Sequence, residues 1–358
     1  MRLVSRRVVV CSAVPRQEDE MPELRQNRFT KEWVIMATER AKRPEELRVQ
    51  REARPPLPHY SETCPFCPGN ERLAPPAVMA IPSNGNWQVR VVPNKFAALS
   101  REGQLTRKIE RSRRSLNGIG IHDVIVETPD HALTIPFLPV EHVAEILRCY
   151  RQRYTEVSAD PRIAHVTIFK NHGVAAGTSL EHPHAQLIGT PVISSQVRSR
   201  VYEALRHYDE FGECIFCEAL IEDLEEPARV VLASELFVAV EPFASGTPFA
   251  TYIYPRRHMA SFGDINPAEI IDLAGVLKSI LAKLYVGLQN PDFNYAIRTA
   301  PHENAGVLYY HWYISIIPRL TRVAGFELGS GMFINTVLPE AAAEFLRNIN
   351  PQDGGPVA

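Results

Sequence analysis

Apolar residues recur at helical spacing in two places along the chain. Val143, Ile146, Leu147, Tyr150 and Tyr154 make one stripe; Ile270, Leu273, Leu277, Ile280, Leu281 and Leu284 make the other. Steps of three and four put each set on one face of an amphipathic helix. Short strand-like runs flank both helices. Trp33–Met36, Val89–Val92 and Asp123–Glu127 precede the first, and Ile163–Lys170 and a strand opened by His182 follow it. Val230–Leu232, Phe237–Val240 and Ala250–Tyr254 precede the second, and Asn294–Arg298 and His311–Ile317 follow it. The order of strands, helix, strand, glycine-containing loop and strand therefore occurs twice. It predicts an α+β fold of two related halves, each an antiparallel sheet with a packed helix. The boundaries that follow are a disordered extension over 1–21, halves over 22–195 and 196–348, and a tail over 349–358.

The residues able to do chemistry repeat in the same order. The first half carries Cys64 and Cys67, then His131, then His182; the second carries Cys214 and Cys217, then His258, then His311. Each set matches a tetrahedral Cys2His2 zinc site, so one or two structural zinc ions are expected. Cys67 runs into Pro68-Gly69-Asn70, which is turn chemistry and not the helix that a redox Cys-x-x-Cys needs. The halves differ in the string His182-Pro183-His184-Ala185-Gln186. In a strand, positions i, i+2 and i+4 share a face, so two imidazoles and an amide line one surface. His182 has its counterpart in His311, but His184 faces Tyr313 in the repeat and Gln186 faces Ser315. His184 thus stands apart from the metal set. One active half and one degenerate half is the simplest reading, with His184 as a covalent nucleophile at phosphorus and Gln186 as a donor to the phosphoryl oxygens.

Composition narrows the class. Across 358 residues the chain is 45% hydrophobic and 22% charged, with a formal net charge of −2. Those values suit a globular protein and give no global field for nucleic acid or an anionic membrane. No apolar run is long enough to span a bilayer. Val8–Val14 is too short and interrupted for a signal peptide and lacks a cleavage site, so residues 1–20 read as an extension and a cytoplasmic location is expected. Paired cysteines in such a chain favour metal over disulfides. His122, His165, His172 and His207 read as hydrogen-bonded or surface residues and not ligands. The basic run Arg107–Arg114 reads as a solvated hairpin tip.

The motif set resembles the galactose-1-phosphate uridylyltransferases of the histidine-triad superfamily. The resemblance rests on His182–Gln186, the preceding loop Asn171–Ser179, Cys64-x-x-Cys67, Glu39–Pro44, Pro93–Leu99, Thr128–His131 and Gly325-Phe326-Glu327, and it covers about residues 22–348. It implies that His184 takes the nucleotidyl group and Gln186 bonds the phosphoryl oxygens. It also implies that Arg40 and Arg43 reach phosphate, that Asn94, Asn171, Gly177 and Ser179 line the nucleotide and phosphate pocket, and that Phe326 and Glu327 meet the sugar. A nucleotide sugar and a sugar phosphate would be the substrates, and a homodimer the assembly. Lys95, Thr321 and Arg322 depart from the family pattern near the ribose and the hexose, and the second Cys2His2 set looks more like the branch that includes the ADP-glucose phosphorylases and some prokaryotic uridylyltransferases. The expected activity is uridylyl transfer between UDP-glucose and a hexose 1-phosphate. The alternatives are an ADP-glucose phosphorylase and a non-catalytic zinc and nucleotide-binding protein.

Overall fold

The structure, a computed structural model, describes residues 21–37, 56–83 and 85–353. The extension over 1–20 lies outside the described residues, as do Arg40 and Arg43.

The first half supplies β3 (Met79–Ile81), β4 (Val89–Pro93), β7 (Ile121–Val126), β8 (His165–His172) and β9 (His184–Thr190). The second supplies β10 (Val230–Ala233), β11 (Phe237–Val240), β12 (Thr251–Pro255), β13 (Phe293–Arg298) and β14 (Tyr313–Pro318). In space the first half reads β3-β4-β7-β9-β8 and the second β10-β11-β12-β14-β13, the same order twice. The two antiparallel sheets are joined edge to edge. β8 pairs antiparallel with β13, with Asn171 opposite Asn294 and Lys170 opposite Tyr295, and the result is one ten-stranded sheet. Joining the edges removes two open rows of backbone donors and acceptors that would otherwise need cover. A small sheet of β1 (Glu23–Gln26), β2 (Trp33–Met36) and β15 (Phe333–Asn335) ties the two ends of the described chain together. β5 (Arg107–Glu110) and β6 (Arg113–Leu116) form an exposed hairpin, as the basic run predicts.

Both helical stripes pack on one face of the long sheet. α1 (Val140–Ser158) buries Val143, Ile146, Leu147, Tyr150 and Tyr154. α4 (Pro267–Leu288) buries all six of its predicted positions. Its start is fixed locally: Asn266 Oδ1 accepts from Glu269 N, Glu269 Oε2 accepts from Asn266 N, and Pro267 is preset at the first helical position. One apolar core joins α1 and α4 with Ile125, Ile168, Leu187, Ile297 and Ile314 from both halves.

A polar layer sits inside this core beneath the sheet. Glu127 and Lys170, both almost fully buried, form an ion pair, and Tyr150 donates to Glu127 at 2.6 Å. Tyr295, from the second half, reaches the same carboxylate at 3.2 Å. Removing one member leaves the other charge buried alone. Lys170→Met is expected to lower stability by about 3–5 kcal/mol, read as a lower urea midpoint at unchanged slope. Adding Glu127→Gln to it should recover part of the loss, because no uncompensated charge then remains.

The opposite face differs between the halves. In the second half, α2 (Ser195–Phe211) and α3 (Ile215–Glu225) contribute to a core with Phe216, Tyr254, Tyr310 and Tyr313. In the first half, that face carries Cys64, Phe66, Cys67, Val92, Val124 and Val126, and beside them the histidines.

Candidate active site

Cys64 and Cys67 lie on a tight loop before β3. Ser61 N and Phe66 N donate to the two sulfurs at 3.4 Å, and Gly69 leaves the loop with φ +88°, a conformation glycine adopts without strain. Asn70, buried at the end of the Pro68-Gly69-Asn70 turn, staples the loop by donating from Nδ2 to the carbonyls of Ser61 and Cys64, both at 2.9 Å. Cys67 Sγ lies 3.4 Å from His131 Nδ1 and 3.6 Å from His182 Nδ1; Cys64 Sγ lies 3.6 Å from His182 Nδ1. A tetrahedral zinc ion with ordinary bond lengths holds its sulfur and nitrogen ligands about 3.6 Å apart. The four donors therefore suit one such ion. His182 donates from Nε2 to Thr128 O at 2.8 Å, which presents Nδ1 as the ligand atom. Burial lowers the pKa of His182 to about 4 and depresses that of His131, so both are neutral, as ligands must be.

The second group is built on a different local frame. Cys214 caps α3 and Cys217 lies in its first turn. Cys217 Sγ is 3.3 Å from both His258 Nδ1 and His311 Nδ1, and the four donor atoms lie within 4.8 Å of one another. His258 Nε2 meets Val307 O at 3.2 Å, but the buried Nε2 of His311 has no hydrogen-bond partner among the described residues. The second group fits a metal with one ligand left unanchored.

His184 opens β9; the strand begins there and not at His182 because Pro183 has no N–H to extend the ladder. Its Nδ1 lies 2.8 Å from the carbonyl of His182. A carbonyl only accepts, so Nδ1 carries the proton and the Nε2 lone pair is free for chemistry. The ring is 7% exposed and packs 5.4 Å from Phe66. Burial is the main reason its pKa is lowered; the nearby Lys170 cation adds to this, and the His182 carbonyl opposes it. A neutral, oriented imidazole is a competent nucleophile. At the equivalent position Tyr313 is sealed among Phe216, Tyr252 and Tyr254, with ring centroids 5.0–5.9 Å away. Aromatic packing fills the face that stays polar in the first half.

Gln186 shares a face with His184. Its Oε1 lies 2.8 Å from His122 Nε2, and Asn94 Nδ2 lies 3.0 Å from the same nitrogen. Asn94, Gln186 and His184 are thus on one surface across β4, β7 and β9. Asn171 lies next to the end of β8, and its Oδ1 accepts from Asn294 Nδ2 of the second half at 2.8 Å. Asn294 also donates to Ala176 O in the glycine loop at 2.8 Å, so the second half holds the loop of the first. The sequence marks His122 as a hydrogen-bonded histidine, which it is, and Asn294 as part of a strand, but shows neither the tie of His122 to Gln186 nor that of Asn294 to Asn171. Gly177 takes φ +86°, which turns the chain toward exposed Ser179. Phe326 and Glu327 lie on the short helix α5 (Gly325–Ser330); Phe326 is exposed and Glu327 accepts from Ala324 N at 3.0 Å. The structure does not bring this pair into hydrogen bonding with His184 or Gln186. Among the described residues no helix is long and apolar enough to cross a membrane.

Comparison with known proteins gives a consistent picture. The family model for the N-terminal domain of galactose-1-phosphate uridyl transferase matches residues 13–194, and that for its C-terminal domain matches residues 195–353. An ADP-glucose phosphorylase from Arabidopsis thaliana is 35% identical over 339 residues, covering 93% of this chain and 94% of the relative. A galactose-1-phosphate uridylyltransferase from Thermotoga maritima is 29% identical over 337 residues, covering 91% and 98%. The crystal structure of an Arabidopsis thaliana ADP-glucose phosphorylase with bound ADP-glucose aligns with a TM-score of 0.79 at 33% identity, covering 92% of this chain and 99% of that one.

Proposed function

Because the chain belongs to the galactose-1-phosphate uridyl transferase family and is an enzyme of the nucleotidyltransferase type, we propose that it moves a nucleotidyl group from a nucleotide sugar through a covalent adduct on His184. The observation that carries this reading is the 2.8 Å hydrogen bond from His184 Nδ1 to the carbonyl of His182. Nε2 attacks the α-phosphorus; the P–N bond forms as the bond to the bridging oxygen breaks, and a hexose 1-phosphate leaves with the electron pair. The ring becomes cationic, and its bond to the His182 carbonyl becomes charge-assisted. An acceptor phosphate oxygen then attacks the same phosphorus, the P–N bond breaks, and neutral His184 returns. Two displacements at one centre give ping-pong kinetics.

Gln186 and backbone amides of the loop around Gly177 and Ser179 stabilise the non-bridging oxygens in this scheme. Asn94 and Asn171 line the nucleotide pocket, Arg40 and Arg43 serve phosphate, and Phe326 and Glu327 serve the sugar, in a homodimer. Both Cys2His2 groups hold structural zinc. When bound, the ion neutralises paired thiolates and ties the Cys64 loop to the strand that carries His184.

Two base and acceptor pairs share this chemistry. Adenylyl transfer from ADP-glucose to inorganic phosphate is supported by the higher identity to an ADP-glucose phosphorylase, and by Lys95, Thr321 and Arg322, which depart from the uridylyltransferase pattern at ribose and hexose. Uridylyl transfer between UDP-glucose and a hexose 1-phosphate is supported by the family description and the shared motif set. One experiment separates them. The protein is incubated with ADP-glucose or UDP-glucose, its intact mass is read, and the adduct is chased with phosphate or galactose 1-phosphate. A single nucleotidyl adduct is expected, discharged by one acceptor. Absence of an adduct with either donor would sink the proposal.

A further inference from the structure

We infer that His122 is a positioning residue for this reaction, aiming the amide of Gln186 at the phosphoryl group. The inference rests on the proposed transfer through His184.

His122 lies on β7 opposite Ile188 of β9, and Val124 lies opposite Gln186, so His122 and Gln186 are diagonal neighbours on the face that carries His184. Its ring has a defined direction. The backbone N–H of Ala98 donates to His122 Nδ1 at 3.1 Å. A backbone donor cannot reverse, so Nδ1 is the acceptor and the ring proton sits on Nε2. That proton has one suitable acceptor among the described residues, Gln186 Oε1 at 2.8 Å. Asn94 Nδ2, at 3.0 Å from Nε2, is itself a donor, and its amide is fixed because Asn94 Oδ1 accepts from Phe96 N at 2.9 Å.

The consequence falls on Gln186. An unrestrained glutamine amide presents oxygen or nitrogen with little preference. Oxygen toward the substrate would repel a phosphate. With Oε1 held by His122 Nε2–H, the NH2 group is left to point away from His122, along the face shared with His184. The frame behind this is rigid. Asp123, the next residue on β7, is fully buried and pairs with Arg101, which lies on the segment following Ala98, and with Arg153 of α1 at 2.8 Å. The loop that directs His122 is therefore anchored to the sheet.

The test is a double-mutant cycle on the full chain, read as the single-turnover rate of nucleotidyl-enzyme formation with the donor that labels the wild type. Gln186→Ala should slow that step about 100-fold and His122→Ala about tenfold or more, with KM for the donor little changed. The double variant should be no slower than Gln186→Ala alone, because His122 acts only through Gln186. His122→Gln, whose amide N–H can replace Nε2–H, should recover most of the rate. If the two losses multiply, or His122→Gln is as slow as His122→Ala while thermal unfolding shows both folded, the inference is overturned and transfer through His184 stands. Failure of the wild type to form any adduct overturns both.

Discussion

His184→Ala and His184→Gly should lose nucleotidyl transfer by at least about 10⁴-fold while the protein stays folded. The size of the loss follows from the proposed role: no other described side chain on this face offers a neutral imidazole nitrogen with its proton held on the far side. His122 lies nearby, but its Nε2 carries a proton directed at Gln186 Oε1 and its Nδ1 is occupied by Ala98 N–H. The fold should survive because, among the described residues, the His184 side chain makes a single hydrogen bond, to a carbonyl two residues away, and one ring contact with Phe66. Intact mass after incubation with the labelling donor, together with circular dichroism, checks both halves of the expectation. A folded His184→Ala protein that still accumulates the adduct would place the nucleophile elsewhere.

Much of this site was legible before the structure because its elements carry strong periods. The two helical stripes and the order Cys, Cys, His, His survive in sequence, and the repeat alone separates His182 from His184. What was not legible depends on pairing. Whether His122 faces Gln186 or the core depends on the register of β7 against β9, and a one-residue slip would reverse it. Asn294 reaches Asn171 only because β13 and β8 meet at the seam between halves, a contact between residues 123 positions apart. α2 escaped the hydrophobic pattern for a different reason. It buries only Ala204, so its apolar stripe is thin, although Ser194 at its start and Gly212 at its end, φ +78°, are ordinary start and stop signals. The closure of the second half's face was half visible: Tyr313 signalled the loss of a nucleophile, but the stacking on Phe216, Tyr252 and Tyr254 needed the fold.

Removing metal should separate the two Cys2His2 groups in time. A ligand histidine binds best when its other ring nitrogen donates to a fixed acceptor, and loss of such a partner weakens a site about 10- to 100-fold. His182 has Thr128 O, whereas His311 has no partner for Nε2 among the described residues. A chelator series on protein holding two zinc equivalents should therefore release one equivalent early, from Cys214, Cys217, His258 and His311, with little change in transfer. The second should leave later and take both activity and stability with it, on the order of 10 kcal/mol of metal-linked folding energy being at stake in such sites. His182→Ala reaches the late state directly: it removes a ligand and its Thr128 anchor next to the carbonyl that orients His184. That variant should hold one equivalent, melt well below wild type and transfer poorly, whereas His311→Ala should hold one equivalent and keep most of its transfer. Metal content by mass spectrometry, measured beside single-turnover rates, decides it. Activity lost with the early equivalent would mean that the second half's metal, and not the first's, sets the geometry at His184.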